Sequence, residues 1–84
     1  MSTNYYRTDS HGARRHIGKT SFGGSGTGMR FIWAEPRDLV EAFCREHHND
    51  RVIDGYEPLT GSQFLELLKN VREHDEELVG QVFS

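Results

Sequence analysis

The N-terminal half of the chain carries short segments in which apolar and aromatic residues are spaced as in β-strands. Residues 5–7 form the first, residues 8–15 are turn-like, and residues 16–22 alternate weakly between apolar and polar positions. Residues 29–34, MRFIWA, are the best strand candidate, because aromatic and branched side chains favour extended backbone. The pattern therefore predicts a hairpin of 16–22 with 29–34, joined by a flexible glycine-rich loop at 22–28.

A first helix is predicted by apolar residues that recur at a spacing of three or four positions. The residues on this helical face are Leu39, Val40, Phe43, Cys44 and His47. Pro36 precedes them and suits the first helical position, where a missing N–H loses no helical hydrogen bond. The sequence at 48–50, His-Asn-Asp, predicts the end of this helix.

A second helix is predicted from Thr60, because Thr60 and Gln63 have the spacing of a capping box. Its apolar face consists of Phe64, Leu67, Leu68 and Val71. The charged stretch EHDEE follows at 73–77. The apolar spacing then resumes at Leu78, Val79 and Val82. The pattern leaves open whether the helix continues to the end of the sequence or breaks near residues 74–75.

Between the two helices, residues 51–59 predict a second, smaller hairpin with a two-residue Asp54-Gly55 turn. Pro58 limits its second strand to a sheet edge, since proline has no N–H to donate. Together the elements predict an α+β fold, a small single domain over residues 1–84 with short strands packed against two helices. The predicted core consists of Phe31, Trp33, Leu39, Phe43, Ile53, Phe64, Leu68 and Val71.

The composition is that of one small intracellular domain. A chain of 84 residues has a small core, and domains of this size are often stabilised by a metal, a disulfide or a partner. Its one cysteine, Cys44, excludes an intrachain disulfide and suits a reducing cytoplasm. Apolar runs are too short for a signal peptide or a membrane span, so we expect a soluble cytoplasmic protein that does not associate with membranes.

The net charge of −3 conceals an uneven distribution. Residues 1–30 contain five basic residues and one acid, whereas residues 31–84 contain five basic residues and twelve acids. One end therefore suits an acidic partner surface and the other a basic one. The candidate partner-binding residues are Arg14, Arg15 and Lys19 in the first part and Asp75, Glu76 and Glu77 in the second. An ordinary solvated surface of uneven charge is the alternative interpretation.

The segment at 16–28, HIGKTSFGGSGTG, contains GKT in a glycine-rich run, as a nucleotide-phosphate loop does. That loop requires a glycine five residues before Gly18, where this chain has Ala13. The preceding RTDSHGARRH is also too polar for the buried strand that leads into such a loop. We therefore predict no bound nucleotide and interpret the glycines as a connection between strands.

Histidines and the single cysteine suggest a metal site. Cys44 lies three residues before His47 and four before His48, so either pair shares a helix face. His11 and His16 could supply a second pair, since structural zinc sites usually combine two local pairs from distant segments. These residues predict a structural zinc ion that ties the glycine-rich half to the first helix. The alternative is that Cys44 is a small core residue and the histidines are solvated at a helix C-terminus.

The residue pattern gives little support to an enzyme. Cys44 and His47 lie on one helix, and no third group is evident that would orient the histidine as a base. The carboxylates at 75–77 form a charged face, and a chain of this length leaves little room for a substrate cleft. We expect a non-enzymatic protein.

A small nucleic-acid-binding protein is the alternative function. Surfaces of this kind combine cations that neutralise phosphates with rings on which bases stack. The candidate residues are Arg14, Arg15, Lys19 and Arg30 with Tyr5, Tyr6 and Phe22. The overall acidity argues against this function, and the acidic half could instead imitate nucleic acid in the basic groove of a nuclease.

The order of these segments resembles that of short proteins encoded by tailed bacteriophages. That family has a YY-R stretch, an HIGK[S/T]S motif, an aromatic strand, an acidic amphipathic helix, a turn and a final helix opened by Ser or Thr. The matching segments here are 5–7, 16–21, 31–33, 39–43, 52–59 and 60–68. The resemblance covers most of the chain, and HIGKTS at 16–21 is its specific part.

The resemblance implies a phage origin and the cytoplasm of a bacterial host as the location. Small phage accessory proteins often bind and inhibit host proteins, including CRISPR–Cas nucleases, so an inhibitor of a host protein is the expected function. The family commonly carries Cys-x-x-Cys just before the HIGK segment, which is half of a zinc site. This chain has residues 9–15 there, without a cysteine, so that thiolate pair is missing.

Overall fold

A computed structural model describes residues 2–22, 29–71 and 73–75 of the chain. The described residues form a six-stranded sheet and two helices, which confirms the α+β class predicted from the sequence. In chain order the elements are β1 (Ser2–Thr8), β2 (Arg14–Phe22), β3 (Met29–Trp33), α1 (Arg37–Glu46), β4 (Ile53–Asp54), β5 (Pro58–Leu59), α2 (Gly61–Lys69) and β6 (Glu73–Asp75).

Strand β1 lies inside the sheet, between β4 and β2. The strand order is β5-β4-β1-β2-β3-β6, and neighbouring strands are antiparallel except for β3 and β6, which are parallel. The predicted pairing of 16–22 with 29–34 is confirmed, with Lys19 opposite Ile32. The predicted edge position of Pro58 is also confirmed, because β5 is an outermost strand of the described sheet.

The register gives the sheet two distinct faces. Tyr5 and Trp33 both lie opposite Gly18, and both are buried. Asn4 lies opposite Lys19 on the other side, since successive residues of a strand point to opposite faces. We call the side of Tyr5 the inner face and the side of Asn4 the outer face. Core residues of α1 and α2 pack against the inner face.

Aromatic rings fill the space between the inner face and the helices. Phe64 of α2 is fully buried, and its ring centroid lies 5.6 Å from those of Tyr5 and Phe31. The Trp33 ring lies 6.4 Å from Phe64 in an edge-on arrangement. The other buried apolar residues are Ile17, Val40, Cys44, Ile53, Leu68 and Val71. Phe64 is therefore the helical residue on which three rings of the sheet converge.

The prediction of which α1 residues pack in the core is partly wrong. Leu39 is 45% exposed, and Phe43 is only partly buried against the core. Val40 and Cys44, one turn apart, are fully buried instead. The apolar stripe of this helix includes all four residues, and which edge of such a stripe meets the sheet is decided by how the helix docks.

The end of α1 and the start of α2 are joined directly. The Gly61 N–H donates to the His47 carbonyl at 3.2 Å, and the Ser62 N–H donates to the His48 carbonyl at 3.0 Å. The first amides of a helix have no acceptor within that helix. Here those of α2 donate to carbonyls just past the end of α1. A Cβ at Gly61 would collide with the Cys44 carbonyl and lie 2.6 Å from the His47 carbonyl oxygen. Only glycine leaves room for this approach.

The helix starts are close to those predicted. The Thr60 hydroxyl accepts from the Gln63 N–H at 3.1 Å, and the Gln63 side chain accepts from the Thr60 N–H at 2.9 Å, which confirms the capping box. Helix α1 begins at Arg37, so Pro36 is its cap residue and not its first helical residue.

The loop between β4 and β5 differs from the two-residue turn that Asp54-Gly55 predicts. Asp54 pairs with Pro58, so the loop contains residues 55–57. Gly55 lies against the Tyr5 ring so closely that an added Cβ would overlap it. Packing on the core therefore sets the loop geometry here, and the local preference of Asp-Gly does not.

The C-terminal helix is shorter than the apolar spacing suggested. Helix α2 ends at Lys69, and residues 73–75 form β6 alongside β3. Of the two alternatives left open by the sequence, the continuous helix is excluded and the helix ends before residues 74–75, because an unpaired edge of β3 offers residues 73–75 ladder hydrogen bonds. Leu78, Val79 and Val82, and most of the predicted loop at 22–28, lie outside the described residues.

Candidate binding surfaces

The three residues of the N-terminal YYR stretch have three different roles. Tyr5 belongs to the inner-face core, and Tyr6 lies on the outer face after an irregularity in the β1–β2 register. Arg7 turns back toward α1, where its guanidinium holds the Glu35 carboxylate through contacts of 2.7 and 3.3 Å. The same guanidinium lies 5.0 Å from the centre of the Phe43 ring. Arg7 therefore links strand β1 to Glu35, just before α1, and to Phe43 in the middle of α1.

The outer face carries a group of four side chains that we call the Tyr6 cluster: Asn4, Tyr6, Arg14 and His16. The Arg14 guanidinium carbon lies 4.0 Å from the centre of the Tyr6 ring. The His16 ring centroid lies 5.1 Å from that of Tyr6 at an angle of 37°. His16 Nε2 lies 3.2 Å from Asn4 Oδ1. The cluster therefore places two rings and one guanidinium side by side on the sheet.

The face of the sheet that holds the Tyr6 cluster carries both cations and acids. Lys19 and Arg30 share this face by register. Asp54 lies opposite Tyr6 on β4, and Glu73 and Asp75 of β6 lie opposite Arg30 and Ile32. The pKa of His16 is lowered, first because partial burial disfavours the charged ring, while the nearby Lys19 acts in the same direction. The ring is therefore neutral at pH 7, and the cations of this face are arginine and lysine.

The β1–β2 turn places Arg14 and Arg15 at the start of β2. The Asp9 carboxylate accepts from the N–H groups of His11 and Ala13, both at 2.9 Å. These bonds, with that from Ala13 the strongest influence, lower the pKa of Asp9. Arg15 pairs with the same carboxylate at 3.2 Å. The turn is therefore held by one acid that also engages one of the two arginines.

The six predicted partner-binding residues do not form one surface in the described part of the chain. Arg14 and Lys19 lie on the outer face, whereas Arg15 is the ion-pair partner of Asp9. Asp75 belongs to strand β6, not to the helix predicted there. The remaining two, Glu76 and Glu77, lie outside the described residues.

The five predicted metal ligands are dispersed. His11 lies in the β1–β2 turn, His16 belongs to the Tyr6 cluster, and Cys44 is fully buried in the core. His47 stacks on Phe43 and contacts Asp50 at 3.1 Å, and His48 contacts Asn49 at 3.1 Å. Across residues 2–22 and 29–71, no group of three or more His, Cys, Asp or Glu side chains is arranged to hold a metal ion.

Cys44 is fully buried among the core residues, and burial, with Glu41 as a lesser cause, raises the pKa of this thiol from 9.0 to about 11. The residues that are described therefore do not form the predicted site. Uptake of zinc by the whole chain stays a prediction, and elemental analysis of the purified protein tests it.

We expect Cys44 to react with iodoacetamide about 100-fold more slowly in the native chain than in urea-unfolded chain at about pH 8, because the raised pKa removes most of the thiolate. Complete burial slows the reaction further by excluding the reagent. Mass spectrometry of timed samples measures both rates. Native alkylation at the unfolded rate would contradict the buried placement, and acceleration by a chelator would show instead that the thiolate holds a metal.

A second exposed feature is the tip of the β4–β5 loop. Tyr56 is 90% exposed, the largest exposure of any large hydrophobic residue in the described ranges. The loop beneath it is fixed by the contact of Gly55 with Tyr5 and by the Gly55 N–H, which donates to the Glu57 carbonyl at 3.3 Å. In the sequence, an aromatic residue directly after Asp-Gly predicts only part of a turn and does not by itself indicate an exposed ring.

A shallow groove of about 280 Å³ lies between α1 and α2. It is lined by Arg37, Glu41, Arg45, Leu65, Leu68 and Lys69. Arg37 pairs with Glu41 at 3.1 Å, and Lys69 pairs with Glu66 at 3.5 Å. The lining combines charged side chains with the apolar Leu65 and Leu68.

Comparisons with protein-family models, with curated proteins and with solved structures find no match for this chain. Within the described residues, neither helix has the length and apolar character that crossing a membrane requires.

Proposed function

We propose that this chain is a non-enzymatic phage accessory protein that binds and inhibits a protein of its bacterial host, in the host cytoplasm. A CRISPR–Cas nuclease is the target class that the phage resemblance suggests. The observation that carries the proposal is Tyr56, a tyrosine 90% exposed at the tip of a short, tightly held loop. An exposed aromatic side chain on a rigid loop is the kind of residue that anchors a protein–protein contact.

The geometry of the loop favours a protein contact. Tyrosine is enriched among the residues that dominate protein–protein binding energy, because it offers a large rigid surface and one polar group. The contact of Gly55 with Tyr5 holds the loop before any partner binds, which reduces the entropy lost on binding. Tyr56 therefore has the features of a preorganised anchor.

The charges beside Tyr56 indicate the kind of partner surface. Asp54 and Glu57 flank it in sequence, and the nearest cation before β4 is Arg51. An apolar pocket rimmed by basic side chains would complement such an anchor. The nucleic-acid channel of a nuclease is strongly basic, which agrees with the proposed target class.

The experiment is a cleavage assay in which purified chain is titrated into CRISPR–Cas nuclease loaded with guide RNA and supplied with target DNA. We expect cleavage to fall as the chain is added. Tyr56→Ala should weaken inhibition about 30-fold, since truncating a dominant interface residue costs about 2 kcal/mol or more.

Two matched variants control this test. Tyr56→Phe keeps the ring and should retain most of the inhibition, and Leu39→Ala removes the other exposed large hydrophobic residue without changing the loop. Equal inhibition by wild type and Tyr56→Ala would contradict the role of the loop. If the CRISPR–Cas nuclease is unaffected, wild type and Tyr56→Ala are each used to capture host proteins from a lysate freed of nucleic acid, which identifies any other target. Capture of the same proteins by both would mean that the loop is not the contact.

A further inference from the structure

We propose that the outer face of the sheet binds single-stranded nucleic acid, with Tyr6, Arg14 and Lys19 as its contact residues. Its contact residues lie outside the Tyr56 loop at 55–57, and the proposal does not depend on inhibition of a host protein. It rests on the Tyr6 cluster and on the charge of the face around it.

The first support is the arrangement of planar groups. The Arg14 guanidinium lies 4.0 Å from the centre of the Tyr6 ring, and the His16 ring lies 5.1 Å from it. Bases of single strands stack on aromatic rings and on guanidinium planes, often on the open face of a sheet. The cluster offers both kinds of plane along one row of side chains.

The second support is that strand pairing and hydrogen bonds hold the side chains of the Tyr6 cluster in place. His16 Nε2 contacts the Asn4 side chain at 3.2 Å, and the β1–β2 pairing sets Tyr6 opposite His16. Arg14 follows a turn that the Asp9 carboxylate fixes through two backbone bonds of 2.9 Å. A base stacked here would therefore meet a surface that needs little ordering.

The third support is the local charge beside the Tyr6 cluster. Arg14 and Lys19 lie next to it on β2, against Asp54 on β4, whereas Arg30 lies one strand farther away and pairs in register with Glu73 of β6. Glu35, the other acid close to His16, is held by the Arg7 guanidinium at 2.7 Å. Cations beside stacking planes fit a ligand that carries phosphates between its bases, as a single strand does.

An acidic protein surface would pair with the cations of the outer face, but it would offer no bases to stack on the rings of Tyr6 and His16. A duplex would present phosphates, but its bases are stacked inside and unavailable to Tyr6. The combination of rings and cations therefore favours a single strand over either of these ligands.

The test uses fluorescence anisotropy with a labelled oligothymidylate of about ten nucleotides, within the site sizes seen for sheet-based single-strand binders. The full chain should bind at low salt, with affinity falling as salt rises by a log–log slope of about −0.7 per phosphate contacted. Tyr6→Ala should weaken binding about 5-fold or more, the effect expected for loss of one stacked base. Arg14→Gln should reduce the slope by about 0.7.

The controls separate this site from the rest of the molecule. Tyr6→Phe keeps the ring and should bind as wild type, and Arg45→Ala removes an exposed cation from α1, on the opposite side of the sheet. Tyr56→Ala should leave oligothymidylate binding unchanged, so failure here and failure of the inhibitor proposal are distinguishable. Circular dichroism confirms that each variant is folded before it is compared.

Three results would overturn the proposal. The first is no binding of oligothymidylate to the wild-type chain at low salt. The second is equal affinity of folded Tyr6→Ala and wild type together with an unchanged slope in Arg14→Gln. The third is competition by polyglutamate as strong as that by unlabelled oligothymidylate, which would mean that the face attracts only negative charge, such as that of an acidic protein.

Discussion

Replacing Phe64 by alanine is expected to remove most of the free energy of unfolding of this chain. Its ring is fully buried and lies within 5.6 Å of two rings of the sheet and 6.4 Å of a third. Truncating a buried phenylalanine costs about 3–5 kcal/mol, because apolar burial is lost and a cavity remains. A domain of this size has a stability of only about 5 kcal/mol.

Urea denaturation followed by the fluorescence of the single tryptophan, Trp33, measures this effect directly, since that ring contacts Phe64. Leu39→Ala is the matched control, because Leu39 is 45% exposed and its loss should cost less than about 1 kcal/mol. Equal stabilities of the two variants would mean that α2 does not pack on the sheet through Phe64.

Replacing Gly61 by alanine should destabilise the chain, although the same change in most helices is stabilising. Alanine in place of a helical glycine ordinarily gains about 0.5–1 kcal/mol. Here the added Cβ would collide with the Cys44 carbonyl and lie 2.6 Å from the His47 carbonyl oxygen, so the helices must move apart. We expect a loss of about 1–3 kcal/mol, the usual cost of overpacking.

Thermal denaturation followed by circular dichroism decides the sign of this change. Glu66→Ala, on the exposed side of the same helix, is the control and should shift stability by no more than about 0.5 kcal/mol. A Gly61→Ala chain that melts above the wild type would show that the two helix ends are not in contact.

The elements that local patterns specify strongly were predictable. The hairpin of β2 with β3 follows from aromatic and branched residues on both sides of a glycine run. The start of α2 follows from the Thr60–Gln63 capping box, whose two hydrogen bonds need only four consecutive residues. Such features depend only on residues that are close in the sequence, so they can be predicted from a single sequence.

Features that depend on distant contacts were not predictable. Residues 73–75 carry helix-compatible charges, yet they form β6 because the edge of β3 is available to them. Leu39 and Val40 are equally apolar neighbours, and only the docking of α1 decides that Val40 is buried. The length of the β4–β5 loop likewise depends on Tyr5, which comes from the other end of the chain.

The candidate binding surfaces show the same limit. The sequence indicated that Tyr6, Arg14 and Lys19 belong to a basic and aromatic region, but Tyr5 was grouped with them although it is buried. Adjacent strand residues point to opposite faces, so one register shift decides which tyrosine meets solvent. Spacing along the helix left two interpretations of Cys44 open, and its complete burial agrees with the one in which it is a small core residue.

The internal position of β1 has a consequence for synthesis on the ribosome. The strands β1, β2 and β3 emerge first and can pair locally, but β4, which completes the pairing of β1, comes from the second half of the chain. Until α1 and α2 have been translated, the nascent sheet exposes Tyr5, Ile17, Phe31 and Trp33 to water. We therefore expect truncated translation products that stop before α2 to be captured by chaperones or to aggregate, and release of the folded chain to await its last helix.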